Sequence, residues 1–307
     1  MMHMEFAPYI LNVAIVPLLS PLLIGIVRKV KAYMQNRAGA SVLQPYRDLV
    51  KLFTKNEVIS EDASWIFRVA PYVIFGITLA LAAGVPLVGP LSTYLPTGDI
   101  LVFAYLLAGG AFFLALAGMD TGSAFGGFGA SREMMIAALT EGGLVLSLAG
   151  IAFMAGSTNF ASIALALSHV SAAAYLPLAL LAAAFSIALL AENARMPVDN
   201  PATHLELTMV HEAMILEYSG KRLALIEWAA ANKLLIFIVV LCNVFFPWGT
   251  SVFGIGALVV TFAKIFVAAA GIALLESTIA KHRIFRLPDL LFTSFVISLI
   301  AIFIIVV

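Results

Sequence analysis

Residues 192–220, ENARMPVDNPATHLELTMVHEAMILEYSG, hold five carboxylates, one arginine and two histidines in a chain that is only 11% charged overall. Acids beside bases and imidazoles can hold a metal, exchange protons or form fixed ion pairs. A zinc site of the metalloprotease type needs His-Glu-x-x-His, but after His211-Glu212 the position of the second histidine is Ile215. Glu141, Glu192, Glu227, Lys233, Lys264 and Glu276 add ionisable groups within otherwise apolar runs. Each costs about 2.5–3.5 kcal/mol at the centre of a bilayer, so a helix that keeps them turns them towards protein or water. Glu227 and Glu276 lie near polar loops, where a snorkelling or paired charge fits equally well. Glu141, Lys233 and Lys264 lie a turn or more deep and point to function. Acids and bases together at that depth can form a hydrogen-bonded relay, because desolvation moves both pKa values towards neutrality. A fixed salt bridge would use the same residues.

The elements that must position these groups follow from the apolar pattern. A composition of 63% hydrophobic residues over 307 exceeds what a soluble core of that size could hide. Runs of about 20 apolar residues, enough to cross a ~30 Å hydrocarbon layer, fall near 9–27, 70–90, 99–119, 133–155, 174–193, 223–247, 252–276 and 288–307. The expected fold is all-α: one integral membrane domain over 1–307 with eight transmembrane helices. All but Lys233 and Lys264 of the 17 lysines and arginines fall in alternate loops, which places those loops, and 192–220 with them, on the cytoplasmic side and both termini outside. Span 1 lacks a basic n-region and a clear cleavage site and is expected to stay as a helix. The single cysteine, Cys242, excludes a disulfide framework and any iron–sulfur cluster ligated by cysteines of this chain alone.

Three segments between the spans carry further pattern. SVLQPYRDLVKLF places Val42, Tyr46, Leu49, Val50 and Phe53 at helical spacing, predicting an amphipathic surface helix over 41–54. GMDTGSAFGGFGASRE (118–133) reads as a loop. It lacks the lysine and strand context of a phosphate loop, so its glycines serve tight bending or close approach. Pro197 ends span 5, and Asn200 with Pro201 starts a second helix over 201–218, stopped by Gly220. On it Glu206 and Glu217, 11 residues apart, would share one face, and His204 and His211, seven apart, another. Leu205, Leu207, Met209, Val210, Met214, Ile215 and Leu216 make it too apolar to stand free, so lipid headgroups or another protein should cover it.

ENARMPVD followed by an acidic segment ending in LEYSG resembles the membrane subunit that bridges the two arms of respiratory complex I and its relatives in group 4 membrane-bound nickel–iron hydrogenases. NRAGASVLQPYRDLVKLFTK (36–55) and KHRIFRLPDLL (281–291) extend the resemblance over nearly the whole chain. DTGSAFGGFGASRE and DNPATHLELTMVHEAM look like the hydrogenase and formate hydrogenlyase side rather than the quinone-reducing side. The resemblance implies a non-catalytic subunit of an oxidoreductase complex in a prokaryotic cytoplasmic membrane, with no cofactor of its own and no nucleic-acid partner. Its implied partners are hydrogenase large and small subunits and an iron–sulfur protein, which carry the nickel–iron centre and the iron–sulfur clusters, together with antiporter-like membrane subunits that move H⁺ or Na⁺.

Residue by residue, Glu192, Arg195, Pro197, Asp199 and Glu217 match the family's motif, Glu206 and Glu212 match by type, and Glu141 matches its acid in span 4. With Lys233 and Lys264 these acids and Arg195 form the implied coupling path. Arg37, Gln44, Arg47, Asp48, Lys51, Arg132 and Glu133 are the expected docking residues for the peripheral arm. Two alternatives stand beside this reading. One is a quinone-binding complex I subunit, whose headgroup would enter between span 1 and the amphipathic helix. The other is a free-standing carrier, which should show repeated halves, and no repeat is evident.

Overall fold

The computed structural model describes residues 7–87, 96–168, 174–199, 209–249 and 255–306. Its helices are α1 (Ala7–Met34), α2 (Gln44–Thr54), α3 (Trp65–Gly84), α4 (Ile100–Asp120), α5 (Ala124–Ala155), α6 (Phe160–Leu167), α7 (Tyr175–Glu192), α8 (His211–Ile215), α9 (Gly220–Val240), α10 (Ile255–Thr278) and α11 (Leu287–Val306). Eight of these are long and apolar enough to cross a membrane, as the sequence predicts. The described residues include no strand, only an isolated bridge between Asp99 and Asn159.

α9 runs through the middle, with Leu234 to Val240 each at most 1% exposed, and packs on α1 and α3. α5 lies against α4 and α7, and α11 lies against α5 and α7. Where they meet, Phe185 contacts Phe237 and Phe245, with ring centroids 5.6 and 4.9 Å apart. α9 ends in a π-helical turn, Leu241–Phe245, whose last carbonyls take a cation from α10: Lys264 Nζ donates to Cys242 O at 3.3 Å and Phe246 O at 2.6 Å.

Prolines inside two spans leave carbonyls without their helical donors, and side chains from elsewhere supply replacements. Pro21 has no N–H for the Pro17 carbonyl, which accepts instead from Trp228 Nε1 at 2.8 Å. Pro71 likewise frees the Phe67 carbonyl, which accepts from the Tyr218 hydroxyl at 2.9 Å. The Tyr218 ring stacks on Phe67 at 3.9 Å. Burial, reinforced by Asp120, pushes the Tyr218 phenol above its ordinary pKa, so it remains a donor.

Two sequence expectations give way. The glycine-rich segment is a loop only at 121–123: residues 118–120 end α4, Ser123 caps α5 by accepting from Gly126 N at 3.1 Å, and residues 124–133 form the first turns of that helix. Both expected uses of the glycines occur: Gly122 takes a left-handed φ of 66° in the turn, and Gly129 permits close approach. A Cβ on Gly129 would lie 2.8 Å from the Ala213 Cβ and 2.9 Å from the Val210 carbonyl. The helix expected over 201–218 is not continuous: Met209 and Val210 are not helical, the described part of the segment holds only α8, and residues 200–208 lie outside the described residues. Long-range bonds hold the chain at 209–211. Arg132 Nη1 donates to Met209 O at 3.2 Å, and His211 N donates to Asp199 Oδ2 at 3.4 Å. Of its apolar side chains Met209, Val210, Met214 and Ile215 are buried, with α8 packed on α4 and α5 of the same chain, and Leu216 is exposed; Leu205 and Leu207 lie outside the described residues.

Candidate functional site

The basic loops gather at one end of the bundle and are tied together there. Arg222 pairs with Glu57, Ser219 Oγ accepts from Val58 N at 2.8 Å, and Arg28 lies 3.7 Å from Asp48 on α2. α2 packs against α1 and α9, its Phe53 ring edge-on to Trp228 at 6.1 Å. Beneath this layer α1, α3, α4 and α9 enclose a cavity of ≈ 620 Å³. Ile77, Leu81, Leu107 and Leu114 line its apolar limb; Glu133, Glu192, His211, Glu212, Lys233 and Glu276 form its polar wall.

Two buried ion-pair clusters build that wall. Glu192, at the end of α7, is 2.7 Å from Lys233 Nζ on α9, with side chains 6% and 21% exposed. Glu276, near the end of α10, is 2% exposed and joins two cations, Lys31 Nζ at 3.1 Å and Arg195 Nη1 at 3.0 Å. A buried carboxylate holds its charge only with such compensation. Outside the wall, Asp199 takes Lys281 Nζ at 2.5 Å. Glu133 on α5 lies within electrostatic reach of Lys233, Glu192 and Asp199, and Glu141 within reach of Glu192 and Lys233.

Below the wall, a polar link crosses the bundle. Ser20 Oγ donates to Asn232 Oδ1 at 2.7 Å, and Asn232 Nδ2 donates to Thr78 Oγ1 at 3.1 Å, joining α1, α9 and α3 in buried surroundings. His211 is partly buried and lines the cavity. Burial, with Lys233 adding to it and Asp199 opposing, lowers its pKa to about 4, so the ring is neutral at pH 7. Among the described residues, no group of three or more His, Cys, Asp and Glu is arranged to hold a metal ion.

Compared with known proteins, residues 7–307 match the family model described as NADH dehydrogenase. The chain belongs to that family. Formate hydrogenlyase subunit 4 of Escherichia coli (strain K12) is 36% identical to it over 287 residues, covering 92% of each chain. Hydrogenase-4 component C of the same organism is 35% identical, covering 92% of this chain and 90% of that one. A solved structure of the membrane-bound sulfane sulfur reductase, an archaeal respiratory membrane complex, contains a chain of the same fold: TM-score 0.85, 23% identity, 97% of this chain and 98% of that one covered.

Within this NADH dehydrogenase fold, Glu192, Arg195, Glu212 and Lys233 reach the cavity wall, and Asp199 braces it from behind. Glu141 lies two turns beyond Glu133 on α5, about 12 Å along the axis. Lys264 stands apart: it is about 18 Å from Glu276 along α10, at the opposite end of α9 from the cavity. Glu206 lies outside the described residues, and Glu217 is exposed in the turn after α8, so the expected shared face of the two acids on one helix is lost.

Of the expected docking residues, Arg47 and Lys51 are exposed on α2, Gln44 donates to Asp48 at 2.8 Å, and Arg37 pairs with Gln35 at the cavity mouth. Arg132 is committed to the Met209 carbonyl. Glu133 faces the cavity instead of a docking surface, because the helix begins at Ala124 and carries residue 133 into its third turn. Sequence reasoning does not place Lys31, His211 or Asn232 at a site; their surroundings come from distant parts of the chain, as with the 245-residue separation between Lys31 and Glu276.

Proposed function

We propose that this chain is the membrane-anchor and coupling subunit of an energy-converting membrane-bound hydrogenase, linking electron transfer in a docked arm to H⁺ or Na⁺ translocation. The observation that carries this reading is the polar wall: the Glu192–Lys233 pair, with Glu133 and Glu141 in electrostatic reach, at the cavity below the charged end of the bundle. Similarity along 92% of the chain to formate hydrogenlyase and hydrogenase-4 subunits supports the choice of branch. In this reading the charged end faces the cytoplasm of a prokaryote, both termini lie outside, and residues 1–307 act as one integral membrane domain. Arg37, Gln44, Arg47, Asp48, Lys51 and Arg132 receive the large, small and iron–sulfur subunits that hold the nickel–iron centre and clusters. Antiporter-like subunits flank the chain in the membrane. A charge change in the arm shifts the segment carrying Asp199, Glu206, Glu212 and Glu217, which changes the field on Glu192 and Lys233 and draws charge towards Glu141. Glu141→Gln is expected to abolish ion pumping linked to hydrogen evolution while dye-linked hydrogenase activity continues; pumping at the wild-type rate in that variant would refute the path.

A second reading has one observation in its favour. The cavity is lined in part by Pro21, Ile24 and Val27 of α1 and by Pro45 and Leu49 of α2, and it has the volume for a quinone headgroup. Quinone copurifying with the complex, or inhibition by quinone-site compounds, would favour this reading over the hydrogenase.

A further inference from the structure

Among the described residues, His211 is held in place through its backbone. Its N–H donates to Asp199 at 3.4 Å, and two residues earlier the Met209 carbonyl is tied to Arg132 at 3.2 Å. Among the described residues its imidazole nitrogens have no hydrogen-bond partner, and the side chain lines the cavity. A histidine kept for structure uses its ring nitrogens as anchors when buried. Here the anchoring is done elsewhere and the ring is left presented to the cavity.

The surroundings offer both donors and acceptors of protons. From α5 come Glu133 and the committed Arg132; from α7 and the turn after it come Glu192, Arg195 and Asp199; from α9 comes Lys233. Lys281 is taken by Asp199, Arg195 by Glu276, and Asp120, on α4, is spent on the Ser64 cap of α3 at 2.8 Å. We propose that His211 is a proton-transfer residue of the coupling path, passing protons across the cavity between Glu133 and the Glu192–Lys233 pair. The proposal rests on the coupling function above. In the transfer, the neutral ring takes a proton on its free nitrogen to become imidazolium and releases one to a carboxylate, with no electron moved. With a pKa of about 4 the imidazolium is about one part in a thousand at pH 7, which suits a short-lived carrier and not a trap.

The test uses inside-out vesicles carrying the whole complex, with reduced methyl viologen as donor. Translocated H⁺ is read by acridine-dye quenching, or Na⁺ by radiosodium uptake, per hydrogen evolved. His211→Ala is expected to lower that ratio about 10²-fold, the usual scale for loss of a positioned acid–base group. Added imidazole, small enough for the cavity, is expected to restore much of it; an ion-path residue that merely props the fold would not respond. A wild-type ratio in His211→Ala while Glu141→Gln is uncoupled overturns the proposal and leaves the coupling function standing. A loss that imidazole does not reverse also overturns it. If Glu141→Gln pumps normally, the coupling reading itself fails.

Discussion

Replacing Glu276 with glutamine leaves Lys31 and Arg195 facing each other across a side chain that carries no charge. At an effective dielectric near 20, each contact of about 3 Å is worth roughly 5 kcal/mol before desolvation is counted. Desolvation of a carboxylate only 2% exposed offsets much of that gain in the native protein. Breaking a buried pair by removing one partner typically costs about 3–5 kcal/mol, because the remaining charge stays buried. Lys31 and Arg195 are 20% and 12% exposed, so water screens part of the repulsion and the lower end of that range applies. A loss of about 3 kcal/mol corresponds to a fall on the order of 10 °C in unfolding temperature. Cys242 provides the assay: it is the single cysteine of the chain and is 6% exposed, so its thiol labelling on heating, read by mass spectrometry in the purified complex, reports unfolding of this subunit. In a Lys31→Met background the same replacement should cost less, since one of the two stranded cations is gone. A cost below about 1 kcal/mol, or an equal cost in both backgrounds, would refute the assignment of Glu276 as the charge that joins α1, α10 and the turn after α7.

His211 predicts a pH effect with a definite sign. Its folded pKa of about 4 lies below the ordinary value of 6.5, so the unfolded chain takes up a proton first as pH falls, and stability is lost from about pH 6.5 down to about pH 4. At pH 5 this amounts to about 2 kcal/mol, and His211→Gln should shrink the fall in Cys242 protection between pH 7 and pH 5 by that amount; an unchanged fall would exclude the burial of a neutral ring. Tyr218→Phe keeps the ring stacked on Phe67 but leaves the Phe67 carbonyl without a donor, and the subunit should lose about 1–3 kcal/mol in the same labelling assay.

The spans are legible in the sequence because a bilayer imposes a length of apolar chain that few other structures require. The pairing of in-span charges is legible in kind and not in detail. For Glu276 a snorkelling or paired acid and a functional one read equally well, and its partners come from α1 and from the turn after α7, which only the tertiary arrangement brings together. The acidic segment misleads for the same reason. Asn200-Pro201 is a sound local start signal, yet beyond residue 208 the chain follows bonds to Arg132 and Asp199 and the close approach at Gly129, none of which leaves a trace in its own periodicity. One cap displaces Glu133 from surface to cavity: Ser123, followed by glycines, has the look of loop chemistry but starts a helix of 32 residues.

The hydroxyl of Tyr218 on the Phe67 carbonyl ties two parts of the molecule together. Tyr218 closes the segment that begins with α8, and Phe67 sits one turn before the bend at Pro71 on the helix that supplies Ile74, Ile77 and Thr78 to the cavity. The acidic segment and the helix that forms one wall of the cavity are therefore joined by this bond, and neither separates from the other without breaking it.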